Sequence, residues 1–375
     1  MISWLACDAV SGRIVEELPD LRSSGSFGQT LGTMTSATFS LPVPFSANPK
    51  ERIWEAATEP GRVMLTAVDD ATGAPVWAGT INRRRGGTSP AIDLGAESVE
   101  AYLNRRYVGD HHWKGQDDIS VIAAGLLADA NVEGINLIVD APPGGEPRDR
   151  DYFDKDNKKI YGALSELAGV INGPEWTIDL AWQDADQNVL TKTARVRRRI
   201  GIASPTPTAV FETTAASVFE TEGDGSARYA LDEDYTDGKG SNHVVAYSSG
   251  QGDAQPFSAP ARDENLINVG WPRYEYRFQP SSSISDVTTL NSHAQARLAI
   301  MRLGGKAWVI EARWSQYPRL GVDWHIGDDI AWNLVGHRHP VGVLGTGRAI
   351  GWQADPEQDR ISLILWQPST EVQGV

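Results

Sequence analysis

The chain has 375 residues, more than one hydrophobic core comfortably serves, so two or more domains are expected. Its 41% hydrophobic and 22% charged residues exclude a disordered chain, and no apolar run approaches the roughly 20 residues that a membrane-spanning helix needs. A formal net charge of −15 repels phosphate, which argues against a DNA-gripping surface but not against a channel that DNA slides through.

The first eight residues, Met1 to Asp8, lack a basic n-region and are broken by Asp8, so no signal peptide is expected. Cys7 is the single cysteine; an intrachain disulfide is impossible, and near a strand start it reads as a small buried apolar residue. Strand signals then dominate, with apolar alternation between Gly, Pro and Asp turns. A strand over 36–41 is stopped by Pro42. Strands over 62–68 and 74–83 form a hairpin around "DDATG", where Asp and Gly supply the turn geometry. A short strand over 89–94 follows, and 98–103 reads as a helical turn.

Three helices stand out. The first, 117–130, opens on a carboxylate and places Ile119, Ile122, Leu126 and Leu127 on one face. The second, 157–171, carries Ile160, Leu164, Leu167, Ala168 and Ile171 and stops at Asn172–Gly173. The third, 289–303, carries Leu290, Ala294, Leu298 and Met301 and stops at Gly304–Gly305, a common helix stop. The last seventy residues return to strands. Trp308, Ile310, Ala312 and Trp314 alternate as in a half-buried strand. Strands over 348–353 and 360–367 flank a Pro-containing hairpin loop. Stretches 141–147, 203–208, 221–226 and 248–263 read as loops or linkers.

Candidate chemistry centres on "GVDWHIGDDIAWNLV", 321–335, with Asp323, His325, Asp328 and Asp329. The flanking alternation, including Ile330, Trp332 and Leu334, makes it a connection between strands. Asp328 and Asp329 then read as exposed turn carboxylates and His325 as a loop or rim residue. His111 and His112 are adjacent and face opposite ways on a strand. His337 and His339 would share a strand face but lack a third ligand. The acidic run from Asp232 to Gly238 misses the register of a calcium loop. "GVLGTG", 342–347, lacks dinucleotide-loop spacing and a following helix, and reads as a strand break or bulge. No nucleophile-elbow, zincin or kinase motif is found. No catalytic, cofactor-binding or metal-binding residue and no cofactor is therefore assigned. Two arginine runs, Arg83–Arg84–Arg85 and Arg197–Arg198–Arg199, break the acidic trend. They are either solvated strand ends or a cationic surface that meets an acidic neighbouring subunit.

The order of segments carries a resemblance. "SGSFGQTLGTMTSATFSLPVP", "GRVMLTAVDDATGAPVWAGTINRRR" and "IDLGAESVEAYLNRRYVGD" precede the helix "DDISVIAAGLLADANV". After them come "DRDYFDKDNKKIYGALSELAGVINGPEWTIDL" and, later, "TLNSHAQARLAIMRL" ahead of "WVIEARWSQYPRLGVDWHIGDDIAWNL". Over nearly the whole chain this resembles the minor tail proteins of long-tailed actinobacterial phages, and in architecture the tail hub, or baseplate hub, family.

The resemblance implies an α+β, mostly β fold of two β-barrel-like units with α/β insertions. The expected segments are a first barrel-like domain, 1–108; an α/β insertion, 109–196; a second barrel-like domain, 197–248 with 306–375; and a small one-helix insertion, 249–305. It implies a non-enzymatic homotrimer at the phage tail tip, with two barrel units per subunit so that a threefold tip caps a sixfold tube. The implied partners are the distal tail protein, the tape measure protein and other tail tip proteins. Phage DNA would pass through without specific binding, and no membrane is involved. The place is the virion, after synthesis in the bacterial host cytoplasm. A chain ending at Val375 leaves no room for an appended hydrolase. The alternatives are a hexameric distal tail ring protein, or a tail-associated glycan hydrolase or carbohydrate-binding protein.

Overall fold

The computed structural model describes residues 2–145, 147–169, 173–213, 227–250, 255–280 and 286–366. Strands hold 43% of them and helices 18%, in several sheets of which none closes on itself, so the mostly β, α+β class holds. The expected loop 221–226 and the helix end at Ile171 and Asn172 lie outside the described residues.

The chain forms two compact units. The first comprises 1–228 and 310–364, and the second 229–309 and 365–375. The expected segments 1–108, 109–196 and most of 197–248 with 306–375 all contribute to the first unit.

That unit opens with β1 (Ile2–Asp8), β2 (Ile14–Glu17), β3 (Arg22–Ser23), β4 (Phe27–Thr30) and β5 (Ser36–Pro42). The one-turn helix α1 (Trp54–Ala57) precedes β6 (Val63–Asp69), β7 (Ala74–Arg85) and β8 (Ala91–Ser98). Seven of these strands make an antiparallel sheet in the order β2-β1-β6-β7-β8-β5-β3. Alternation drives Trp4, Phe39 and Trp77 to one face, where they meet edge-on or tilted, with centroids 4.8 to 6.4 Å apart. Phe27 joins this cluster from β4.

An α/β layer follows. A 3-10 turn over Val99–Arg105 leads to β9 (His111–Asp118) and α2 (Ile119–Asn131). Asp118 caps α2 by accepting from the Ser120 amide at 2.8 Å. Then come β10 (Ile138–Asp140), β11 (Pro147–Tyr152), α3 (Ile160–Ala168), β12 (Glu175–Trp182) and β13 (Leu190–Arg197). β10, β13 and β12 form a three-stranded sheet, and β9 pairs with β11. The buried faces of α2 (Ile122, Leu126, Leu127) and α3 (Ile160, Leu164, Leu167) share one core with Trp176 and Ile178 of β12. Tyr161 meets Trp176 at 5.9 Å.

β14 (Val210–Glu212) starts a second sheet that resumes after the second unit. The second unit carries β15 (Arg228–Asp234), β16 (His243–Ala246), β17 (Ala261–Arg262), α4 (Glu264–Asn268), β18 (Glu275–Phe278) and α5 (Val287–Met301). Val244, Ala246 and Ala261 of its small sheet pack on Leu290, Ala294 and Leu298 of α5. β19 (Gly305–Arg313) carries the chain back into the first unit, followed by β20 (Asp329–Leu334), β21 (Val343–Asp355) and β22 (Arg360–Trp366).

β20, β21 and β22 are successive neighbours, and β14 pairs with β20 in parallel. β4, which lies between β3 and β5 in the chain, stays out of the first sheet and pairs instead with β21 of the second. Phe27 meets Trp352 edge-on at 5.8 Å across this join. In the glycine-rich 342–347 only Gly342 belongs to the turn; β21 runs unbroken from Val343, and Gly345 is needed because a Cβ there would lie 2.4 Å from the Trp332 ring. His337 and His339 lie in the turn between β20 and β21, not on a strand.

Candidate functional site

Residues 314–328 connect β19 to β20, and their aspartates, with Asp329 at the start of β20, act as acceptors for the chain itself. Asp323 accepts from the Arg319 amide at 2.8 Å. Trp324 is fully buried, donates its indole N–H to Pro318 O at 3.3 Å and meets Phe211 of β14 edge-on. Gly327 takes φ +93°, and a Cβ there would lie 2.3 Å from Ile200 O. This close approach lets Asp328 reach two amides, Ile202 at 2.6 Å and His325 at 2.8 Å. Asp329 accepts from Arg199 at 2.6 Å and from the Ser204 amide at 2.9 Å.

The expectation of exposed turn carboxylates is corrected here. Asp328 is only 8% exposed, because residues 200–204 cross over the turn. Against desolvation, hydrogen bonds from His325 and the Ile202 amide hold its carboxyl below the ordinary range. The His325 side chain is 64% exposed, with its Nδ1 3.6 Å from Asp328. The Asp328 carboxylate holds its imidazole above the ordinary value, in opposition to partial burial.

Beside this turn lies a groove of about 850 Å³, lined by Asp140, Asp179, Arg195, Arg197, Arg199 and His325 among others. Arg195 and Arg197 sit two apart on β13, so they project to one face, and Arg199 continues the row. Each meets a carboxylate: Arg195 with Asp179, Arg197 with Asp140 at 2.6 Å, Arg199 with Asp329 at 2.6 Å. Arg348 of β21 joins more partners than these three. It bonds both oxygens of Glu175 and donates to Gly327 O at 2.9 Å and Ile200 O at 2.6 Å. Arg319 reaches the buried Asp69 of the β6–β7 turn at 2.7 Å. Such a row fixes strands and loops against one another; it sets no nucleophile beside a base. For Arg197 and Arg199, then, the cationic-surface expectation is corrected, because their charge is met within the chain.

The remaining candidates separate. His111 pairs with Asp129 at 2.8 Å and His112 with Asp151 at 2.9 Å, on opposite sides of β9. In the acidic run, Asp234 accepts from the Thr236 amide and hydroxyl, a local turn. Among the described residues no group of three His, Cys, Asp or Glu is placed to hold a metal ion. None of the described helices is long and apolar enough to cross a membrane.

Two buried ionisable groups escape a motif search. Lys192 is buried and donates to Ala9 O at 2.9 Å; desolvation pulls its pKa down. Its strand parity with Leu190, Ala194 and Val196 was a readable signal. Glu100 is buried below the first sheet, and desolvation pushes its carboxyl up against hydrogen bonds from Ser98 and Gln29. Nothing in its neighbourhood in sequence announces that.

No family model matches the chain, and no curated protein matches it in sequence. Solved structures do match. The tail protein from Neisseria meningitidis MC58 superposes with a TM-score of 0.59 at 15% identity, covering 97% of this chain and 96% of that one. The 43 kDa tail protein of prophage MuSo2 from Shewanella oneidensis gives 0.56 at 14% identity, over 98% of both chains. A chain of the Francisella PdpA–VgrG complex gives 0.54 at 8% identity, over 100% of this chain and 60% of that one. The fold is thus one found in phage tail proteins.

Proposed function

We propose that this chain is a structural subunit of a bacteriophage tail tip, the hub that joins the tail tube to the distal tip proteins. The observation that carries the reading is the extent of the match. Two tail proteins follow this fold over nearly the full length of both chains, so the likeness is to a whole architecture and not to one common sheet. A row of internally paired arginines in place of a reactive site suits a part that bears load.

In this reading the chain has no enzymatic activity. Three copies close a ring around the DNA channel, each contributing two sheet-rich halves, so that a threefold tip meets a sixfold tube. Its neighbours are the distal tail protein, the tape measure protein and other tip proteins, and its place is the tail tip of a long-tailed actinobacterial phage. Carboxylates facing the channel let DNA pass without adsorbing, in keeping with a net charge of −15.

A cryo-EM reconstruction of tail tips tests this directly. Threefold density fitted by this chain is expected. Sixfold density at the same position would instead make it the distal tail ring. Clearing of host cell wall in a zymogram, lost on substituting a single Asp or Glu, would replace the structural role with glycan hydrolysis.

A further inference from the structure

The structure separates the two arginine runs. Arg197 and Arg199 are spent inside the chain, whereas the side chains of Arg83 and Arg85 are exposed and make no ion pair or hydrogen bond among the described residues, although Asp93 lies opposite Arg85 across the β7–β8 pair. A register shift between Ile81 and Arg83 bends the end of β7 just where the run begins. Arg84 is the exception. It donates to Glu55 O at 2.7 Å and Thr58 Oγ1 at 3.1 Å, and its guanidinium lies 5.9 Å from the centre of the Trp54 ring. It thereby ties the run to α1.

Beside α1 the chain presents Phe45 at 111% of its reference exposure and Ile53 at 53%. A groove of about 900 Å³ runs between the 43–47 and 86–90 loops, floored by Trp54 and Ile92. Segments 43–58 and 83–93 together carry Lys50, Arg52, Arg83, Arg84 and Arg85 against Glu51, Glu55 and Asp93. The chain as a whole has 49 acidic against 34 basic residues. Arg52 pairs with Glu55, so the free positive charge at this end of the first sheet comes from Arg83 and Arg85, beside an exposed apolar centre on a molecule acidic overall. An uncovered apolar centre with a charged rim is the anatomy of a protein interface.

We propose that this end docks onto the acidic surface of a second copy of the same chain. Phe45 gains there the cover it lacks in the single subunit, and Arg83 and Arg85 meet carboxylates that set the register. The partner is chosen by charge complementarity: a copy of this chain offers the acidic surface that the patch requires. The contact joins unlike surfaces of two copies, an arrangement that closes into a ring when the rotation between copies divides a full turn. The inference rests on the homomeric assembly proposed above and names the surface that makes it.

Sedimentation velocity on the full chain, over a concentration series at low and at high salt, tests it. The wild type should self-associate, less so at high salt. Arg83→Glu with Arg85→Glu should weaken association at least about tenfold at low salt and remove most of the salt dependence. Phe45→Ser should weaken it at both salt levels. Both variants should keep the wild-type circular dichroism, since all three side chains are exposed, and the arginine variant should melt at most a few degrees lower, because Arg85→Glu faces Asp93 across the β7–β8 pair. Association unchanged in both variants would overturn this surface while leaving homomeric assembly standing. A wild type that stays monomeric throughout would overturn both.

Discussion

Arg348 shows how much one side chain holds in this protein. It is 12% exposed and its guanidinium joins Glu175 of β12, Ile200 of the following loop and Gly327 of the β20 turn. Arg348→Met should cost about 3 kcal/mol, because Glu175 and two carbonyls lose their donor together. Arg195→Ala, in a more exposed pair with Asp179, should cost no more than about 1 kcal/mol. Urea unfolding of the two variants checks the contrast; equal losses would show that the clamp is no more than surface pairing.

The His325–Asp328 pair has a pH signature at the same scale. Asp328 is held below its ordinary 3.8, so its contribution is present above that value and is lost as pH falls through the folded pKa. His325 is raised above its ordinary 6.5, so its contribution is full below 6.5 and is lost as pH rises through the folded pKa. Between these limits the pair stabilises most. In Asp328→Asn the His325 titration, followed by NMR, should move down toward its ordinary value, and the acid limb should flatten. An unmoved histidine would show that Asp328 does not set it.

At the scale of elements, small residues decide which strands can meet. Gly345 lies opposite Trp332 in the β20–β21 register, and the indole occupies the space a Cβ would need. Gly345→Ala should therefore destabilise the second sheet by about 1–3 kcal/mol, the usual range for overpacking. A thermal shift within error of the wild type would mean that the ring moves aside freely. Gly28 plays the same part where β4 crosses to β21, since a Cβ there would lie 2.0 Å from Trp352 O. All three principal helices and several strands, β5 and β20 among them, were legible from periodicity, because each buries one face: Ile122, Leu126 and Leu127 on α2, or Ile330, Trp332 and Leu334 on β20. The pairing of β4 with β21, and not with its neighbours in sequence, was not legible, because four residues of alternation do not say which partner they pair with.

For the whole molecule, the charge balance makes a prediction that no single residue carries. A chain at −15 should not retain duplex DNA even at low ionic strength, where the electrostatic drive to bind phosphate is greatest. Fluorescence anisotropy with labelled duplex should stay flat across the protein range. Binding that weakened steeply with salt would point to a basic channel wall and overturn the passive-lumen reading. The exposed arginines at the end of β7 are too few to reverse this and are assigned to a protein neighbour.

The amino-acid sequence alone carries the class of the fold, the three principal helices, some of the strands and the sign of the net charge. These depend on composition and on short-range periodicity, which local physics reads directly. What the polar residues do was settled by long-range folding. Asp328 and Asp329 looked like solvated turn carboxylates, and burial by residues 200–204, far away in the chain, made them clamps. Two arginine runs looked alike, and folding set carboxylates beside one and left Arg83 and Arg85 facing water. The partner of a charge is fixed by which distant segment the fold brings within about 3 Å of it, and a local pattern carries no record of that distance.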